Sequence, residues 1–152
     1  QLLRARTCAS ARLVVGQIAR TAAERAHREK DLVLNLEDSA LRIADQHLGK
    51  LADELMDNAF KFSAAGTPVE LTSRLADDRL VLTVTDYGRG LTPQQIADIG
   101  AYMQFERKLH EQQGSGLGLT IAQRLVDVYD GELSIDSVYG ARTTITVKLP
   151  VK

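Results

Sequence analysis

A long amphipathic helix set between two groups of strand-like segments most constrains the fold of this chain. From residue 45 to 62, apolar residues recur at steps of three and four and form one buried helical stripe. Alternating patterns predict strands at 32–36, 69–75, 80–86, 132–138 and 143–149, with a turn at 76–79 and another at Tyr139 and Gly140. Because the strands are grouped, the pattern favours an α+β fold, a two-layer α/β sandwich in which helices cover one face of a mixed sheet.

Two further helices are predicted on either side of this pattern. The first 30 residues are rich in Ala, Arg and Glu and lack Pro, and their apolar residues loosely follow helical spacing, which predicts a helix over residues 2–30. Another helix follows a glycine cluster near Gly116 and carries Ile121, Leu125 and Val128. We therefore divide the chain into a helical connection at residues 1–30 and a compact domain at residues 31–152.

Composition limits the classes of partner. The 152 residues, 44% of them hydrophobic, suffice for one domain with a stable core. Lys and Arg number 19 and Asp and Glu 20, so the net charge of -1 gives no reason to expect nucleic-acid or direct membrane contact. The single cysteine, Cys8, cannot form an internal disulfide, which favours a reducing, cytoplasmic setting. No apolar run is long enough to span a bilayer, and the first residue is Gln1, so we expect a piece of a longer protein whose membrane anchor, if it has one, lies elsewhere.

A polar stripe runs beside the apolar one on the predicted 45–62 helix. Glu54, Asn58 and Lys61 recur at steps of four and three, so an acid, an amide and a cation share one face. A solvated surface stripe explains the Glu and the Lys, but Asn is a poor residue for a helix interior. An amide oxygen suits Mg²⁺, and an ammonium group neutralises phosphate. The stripe is a candidate site for metal and phosphate, with Asn58 as the metal ligand.

Asp86 ends a predicted strand on its apolar face. Alternation places it with Leu80, Leu82 and Val84. A buried carboxylate needs a donor, and the exocyclic amine of adenine is a suitable one. An acid that caps the turn at an exposed strand end is the alternative interpretation. Two glycines follow, at positions 88 and 90, and they permit positive φ and the close approach of a flat ring to the backbone.

A glycine-rich run ends where a helix is predicted to begin, and consists of Gly114, Ser115, Gly116, Leu117 and Gly118. The free N–H groups and the dipole at a helix N-terminus favour an anion, so the run predicts phosphate binding. No Lys-Ser or Lys-Thr pair follows the last glycine, which excludes a P-loop. The third glycine comes one residue too early, and no strand precedes it, as a dinucleotide fingerprint would require. A glycine-rich hinge without a ligand is the remaining alternative.

In their order and spacing, these motifs resemble the histidine kinase branch of the ATPase superfamily that also contains gyrase, the large heat-shock chaperones of the same fold and the MutL proteins. The resemblance covers residues 32–150. Residues 54–63 resemble the N box, 86–90 the first glycine box, 105–107 a reduced F box and 114–119 the second glycine box. Lys61, followed by Phe62 and Ser63, is similar to the kinases, whereas the gyrase-like relatives usually carry Asp at that position.

The resemblance implies a Bergerat-type ATP-binding fold and the catalytic domain of a two-component sensor histidine kinase, which transfers the γ-phosphate of ATP to a histidine outside this chain. It implies ATP and Mg²⁺ as cofactors and, as partners, the dimerisation and histidine phosphotransfer domain of the parent kinase and a response regulator receiver domain. The implied catalytic residues are Glu54 as a base, Asn58 on the metal and Lys61 on phosphate. The implied nucleotide-binding residues are Asn58, Lys61, Asp86, Gly88, Gly90, Gly114, Ser115, Gly116, Leu117 and Gly118.

Departures from the family pattern leave two alternative functions open. The F box lacks its second aromatic residue, and Arg142 stands where the final hairpin usually has glycine. None of His27, His47 and His110 has the acid and then the Pro that mark a phosphoacceptor, since His110 is followed by Glu111 but by no Pro. The helix at 2–30 is therefore interpreted as a remnant of the connection to the acceptor hairpin. The alternatives are an ATP-hydrolysing clamp domain and a non-catalytic nucleotide sensor of the same superfamily.

Overall fold

The computed structural model describes residues 7–89, 93–94, 96–97 and 117–151. In chain order the elements are α1 (Ala11–Arg25), a 3₁₀ turn (Glu29–Asp31), β1 (Leu32–Leu36), α2 (Asp45–Lys61), β2 (Val69–Ala76), β3 (Arg79–Asp86), α3 (Leu117–Val128), β4 (Glu132–Val138) and β5 (Arg142–Pro150).

The strands form one mixed sheet in the order β1-β2-β3-β5-β4. β1 runs parallel to β2, and the other neighbours are antiparallel. Asp77 and Asp78 form the turn between β2 and β3, with φ angles of 54 and 62. Positive φ at both central residues matches the twist of adjoining antiparallel strands. The predicted α+β fold with a mixed sheet is confirmed.

One face of the sheet is buried beneath the helices. Inward side chains alternate along β3 and β5 and are at most 2% exposed: Leu80, Leu82, Val84, Ile145, Val147 and Leu149. The intervening threonines of the two strands, Thr83, Thr85, Thr144 and Thr146, are only half-buried. α2 contributes its apolar stripe to the same core, including Leu48, Leu51 and Leu55, each 0% exposed. The period of each element therefore selects which side chains fill the core.

The first helix is shorter than the predicted 2–30. It begins at Ala11 because Ser10 caps it, with the Ser10 hydroxyl accepting a hydrogen bond from the Leu13 N–H at 3.2 Å. Before the cap, Cys8 forms a β-bridge with Leu41. The helix ends at Arg25, and His27 has a φ of 58, a left-handed conformation typical of a helix end. Residues 2–6 lie outside the described residues.

α1 packs into the core of the domain. Val15 and Ala19 are 0% exposed and belong to the same apolar cluster as Leu51 and Leu55 of α2. The described part of this helix is therefore integral to the fold, while the assignment of residues 1–30 to a former connection stays a prediction. Among the helices that the structure describes, none has the length and apolarity needed to cross a bilayer.

Candidate nucleotide-binding site

The polar stripe on α2 contains one fixed acid and one available amide. Glu54 has a side chain that is 16% exposed, and its Oε2 lies 2.7 Å from Nζ of Lys50, one turn earlier. The hydrogen bond to this carboxylate raises the pKa of Lys50. Asn58, one turn after Glu54, is half-buried, and within the described residues its side chain makes no hydrogen bond. Lys61 is exposed at the end of the helix, so the stripe presents an amide and a cation to a ligand.

Asp86 lies at the end of β3 and is 3% exposed. Its Oδ1 accepts a hydrogen bond from the N–H of Gly88 at 3.0 Å. Burial raises the pKa of Asp86, while the Gly88 N–H and the charge of Arg28 act in the opposite direction. In the described part of the chain, every fully buried polar side-chain atom has a hydrogen-bond partner. Oδ2 of Asp86 makes no hydrogen bond there, so this oxygen is not fully buried. Oδ2 is therefore accessible and can accept a hydrogen bond from a ligand.

Gly88 connects the first glycine box to the end of α2. A Cβ built on Gly88 would lie 2.0 Å from the carbonyl oxygen of Phe62, a distance that no side chain tolerates. Two cations lie over the aromatic ring of Phe62: Cζ of Arg89 is 4.9 Å and Nζ of Lys61 is 5.7 Å from the ring centroid. The backbone of the Asp86 turn thus packs directly against the residue that follows α2.

Gly118 makes the equivalent connection from the second glycine box. It lies in the first turn of α3, and a Cβ there would be 2.8 Å from Oε1 of Glu54. Six predicted site residues therefore converge: Glu54, Asn58, Lys61, Asp86, Gly88 and Gly118. The others lie outside the described residues: Gly90, Gly114, Ser115, Gly116, the side chain of Leu117 and the F box at 105–107.

Residues 24–152 match HATPase_c, the family described as "Histidine kinase-, DNA gyrase B-, and HSP90-like ATPase". The chain belongs to the HATPase_c family. This confirms the predicted resemblance and, with it, an ATP-binding domain of the histidine kinase type.

Relatives of this HATPase_c domain include sensor histidine kinases. The histidine protein kinase DivJ of Caulobacter vibrioides is 34% identical over 105 residues, which are 68% of this chain and 18% of DivJ. The sensor histidine kinase YcbM of Bacillus subtilis is 35% identical over 107 residues, 69% of this chain and 34% of YcbM. The chain thus spans only a minor part of each relative. Among solved structures, the mycobacterial sensor histidine kinase MprB matches with a TM-score of 0.79 and 25% identity, over 96% of this chain and 97% of that chain.

Thr143 of the HATPase_c domain lies beside Asp86 and is a candidate site residue that the sequence analysis missed. It is 4% exposed and lies opposite Asp86 in the β3–β5 register. Its Oγ1 lies 2.8 Å from Oγ of Ser137. The signal was present, since Thr143 is the one polar residue in the inward series of β5, just as Asp86 is in that of β3. The two residues place polar groups side by side at one end of an otherwise apolar face.

Proposed function

We propose that this HATPase_c domain binds Mg-ATP and, within a longer sensor histidine kinase, presents the γ-phosphate to a histidine outside the chain. One observation carries the proposal: the Gly88–Phe62 and Gly118–Glu54 contacts join the end of β3, the polar stripe of α2 and the start of α3 into one site. A buried carboxylate, an amide next to a cation, and a helix N-terminus are the groups that suit adenine, a hydrated metal ion and phosphate.

In the proposed complex, Asp86 binds the adenine amine. Oδ1 is engaged by the Gly88 N–H, which fixes the orientation of the carboxylate, and Oδ2 is left to accept from the amine. The glycines at 88 and 90 keep the backbone beside the ring free of side chains. The polar Thr143 opposite Asp86 lies at the same end of β5 and is a second candidate for contact with the base.

The phosphate end of the proposed site fits Mg²⁺ bound with the nucleotide. The described ranges contain no group of three or more His, Cys, Asp or Glu residues suited to a metal ion. Mg²⁺ usually keeps several waters and phosphate oxygens and needs one or two protein ligands, a role that the available amide of Asn58 can fill. When bound, the ion neutralises charge on the phosphates. Lys61 and the backbone at 114–118, which leads into α3, would hold the phosphates themselves.

Phosphoryl transfer in this site relies on positioning and charge neutralisation rather than on covalent chemistry by the protein. The acceptor nitrogen forms a bond to the γ-phosphorus, the bond from phosphorus to the bridging oxygen breaks, and ADP leaves. Glu54 is the proposed base, and its pairing with Lys50 at 2.7 Å fixes the carboxylate beside α3. The proposed partners are the dimerisation and phosphotransfer domain of the parent kinase and a response regulator receiver domain. The proposed setting is the cytoplasm, which a single buried cysteine, Cys8, supports.

Calorimetry and phosphoryl transfer together test the proposal. We expect the wild-type chain to bind ATP more tightly with Mg²⁺ than without it, and Asn58→Ala to lose that difference. We also expect no histidine phosphorylation of the isolated chain, because His27, His47 and His110 lack an acceptor context, and labelling once the parent phosphoacceptor domain is added. Equal ATP affinity of Asn58→Ala and wild type in Mg²⁺ would contradict the metal assignment. Stoichiometric acid-labile phosphate on the isolated chain would contradict the assignment of an external acceptor.

A further inference from the structure

Arg28 is a buried cation that the proposed mechanism does not use. It follows α1, and its side chain is 6% exposed. Nε donates to Oδ2 of Asp31 at 2.7 Å. The other two nitrogens donate to four backbone carbonyls at the end of α2 and in the segment that follows: Phe60 (3.0 Å), Ser63 (3.0 Å), Ala64 (2.8 Å) and Thr67 (2.9 Å). The burial of the guanidinium is thus matched by hydrogen bonds from all three nitrogens.

These contacts fix the segment at residues 62–68, here called the α2–β2 loop. The last carbonyls of a helix lack partners within the helix, and they carry the negative end of its dipole. Arg28 donates to one of these carbonyls, that of Phe60, and brings a positive charge to this end of the helix. Asp31 holds the same loop, since its Oδ2 also accepts a hydrogen bond from the N–H of Gly66 at 3.0 Å. Arg28 and Asp31 together therefore determine the path of the α2–β2 loop.

The α2–β2 loop in turn supports the Asp86 turn. The carbonyl of Phe62 lies against Gly88, where a Cβ would approach it to 2.0 Å. The N–H of the same Gly88 donates to Asp86 at 3.0 Å. Three successive contacts therefore link Arg28 to the carboxylate. Arg28 is also close enough for its charge to lower the pKa of Asp86, against the larger raising effect of burial.

We propose that Arg28 is a positioning residue of the nucleotide site, which holds the α2–β2 loop so that the Gly88 turn orients the Asp86 carboxylate toward the adenine amine. This inference rests on the proposed assignment of Asp86 to adenine. If Arg28 acts in this way, a change that weakens its hydrogen bonds should weaken recognition of the 6-amino group of adenine more than it weakens binding of the rest of the nucleotide.

The test compares ATP with inosine triphosphate, which carries an oxygen in place of the 6-amino group. The main variant is Arg28→Lys, which keeps the charge but cannot reach all the carbonyls at once. Arg25→Lys is the matched control, because Arg25 is the last residue of α1, three residues before Arg28. Its side chain is 51% exposed, and it pairs with Asp53 on the surface. Urea unfolding measures the folded fraction of each variant, and calorimetry measures Kd for both nucleotides.

We expect wild type to prefer ATP. Arg28→Lys should lose about tenfold in ATP affinity, the equivalent of one charge-assisted hydrogen bond, while its affinity for inosine triphosphate changes little. Arg25→Lys should match wild type. An unchanged ratio of the two affinities in folded Arg28→Lys, whether both affinities stay the same or both fall equally, would overturn the inference. Should Arg28→Lys fail to fold, Asp31→Asn decides: a reduced ratio supports the inference and an unchanged ratio overturns it. Wild type that does not distinguish the two nucleotides would instead refute the adenine assignment.

Discussion

Asp86→Asn separates the ligand-binding role of this side chain from its structural role. The Asn side chain retains an oxygen that can accept a hydrogen bond from the Gly88 N–H, as Oδ1 of Asp86 does at 3.0 Å in the wild type, so the turn should persist. The second carboxylate oxygen becomes an amide NH₂ group, which donates hydrogen bonds and does not accept them. The adenine amine would then meet a donor where it needs an acceptor.

The size of the expected effect follows from that single contact. A hydrogen bond to a charged group contributes about 1.5–3 kcal/mol, and its loss should weaken ATP binding by roughly ten- to hundredfold. The free energy of unfolding, in contrast, should not decrease. Because burial raises the pKa of Asp86, the folded chain binds more protons than the unfolded chain between the ordinary and the raised pKa. The free energy of unfolding that this group contributes therefore falls as the pH rises through that window, and the ionised carboxylate costs stability at neutral pH. Asn carries no such cost, so Asp86→Asn should be at least as stable as wild type at pH 7.

Calorimetry with Mg-ATP and urea unfolding, both at pH 7, measure the two effects. Asp136→Asn is the control, since it removes the same charge from a side chain on β4 that is 76% exposed. Wild-type affinity should also decrease as the pH is lowered through the raised pKa of Asp86, a component that the Asn variant lacks. Unchanged ATP affinity in folded Asp86→Asn would refute the adenine assignment, and a marked loss of stability would refute the assignment of a burial cost to the carboxylate.

Three further predictions concern glycine contacts and the buried thiol. Gly88→Ala should lower the free energy of unfolding by about 1–3 kcal/mol through overpacking and weaken ATP binding. Gly49→Ala, whose Cβ would lie 3.7 Å from its nearest neighbour, should instead stabilise α2 by about 0.5–1 kcal/mol; equal urea midpoints for the two variants would count against this contrast. Gly118→Ala should displace the carboxylate of Glu54, a side-chain end that can move without the backbone, and slow phosphoryl transfer with little change in urea midpoint. An unchanged transfer rate would argue against Glu54 as the base. Cys8, whose pKa is raised to about 11 mainly by burial, should resist iodoacetamide at pH 8 until urea unfolds the chain, and rapid labelling of the native chain would show that the thiol is accessible.

Periodicity predicted the elements whose side chains face a single core. α2 was predicted to within one residue at its end, because the apolar stripe through Leu48 and Leu55 fixes which face of the helix is buried. β3 places Asp86 on the buried face, as the alternation predicted. α1 was predicted less well, because its start depends on contacts between distant segments. The Ser10 hydroxyl that caps it also donates to Asp38 at 2.9 Å, and spacing along the chain does not indicate such a pair.

The candidate site shows the same division between local and distant information. Glu54, Asn58 and Lys61 were predicted because their spacing places them on one helical face. Arg28 was not, since its hydrogen bonds reach residues 60–67, and nothing in its immediate neighbours distinguishes it from a surface arginine.

Gly88 shows why the motifs are more informative together than apart. Its sequence context predicted that glycine is needed there so that a flat ring can approach the backbone. The structure adds a requirement within the protein itself, because the carbonyl of Phe62, the residue after α2, occupies the space that a side chain would need. Gly118 faces Glu54 in a similar way. Each of these glycines belongs to one motif but lies against a residue of another, so a chain that keeps all the motifs in order keeps the contacts between them. A lone glycine-rich turn carries no such constraint, and this is why the ordered set predicted the family where each motif alone left an alternative open.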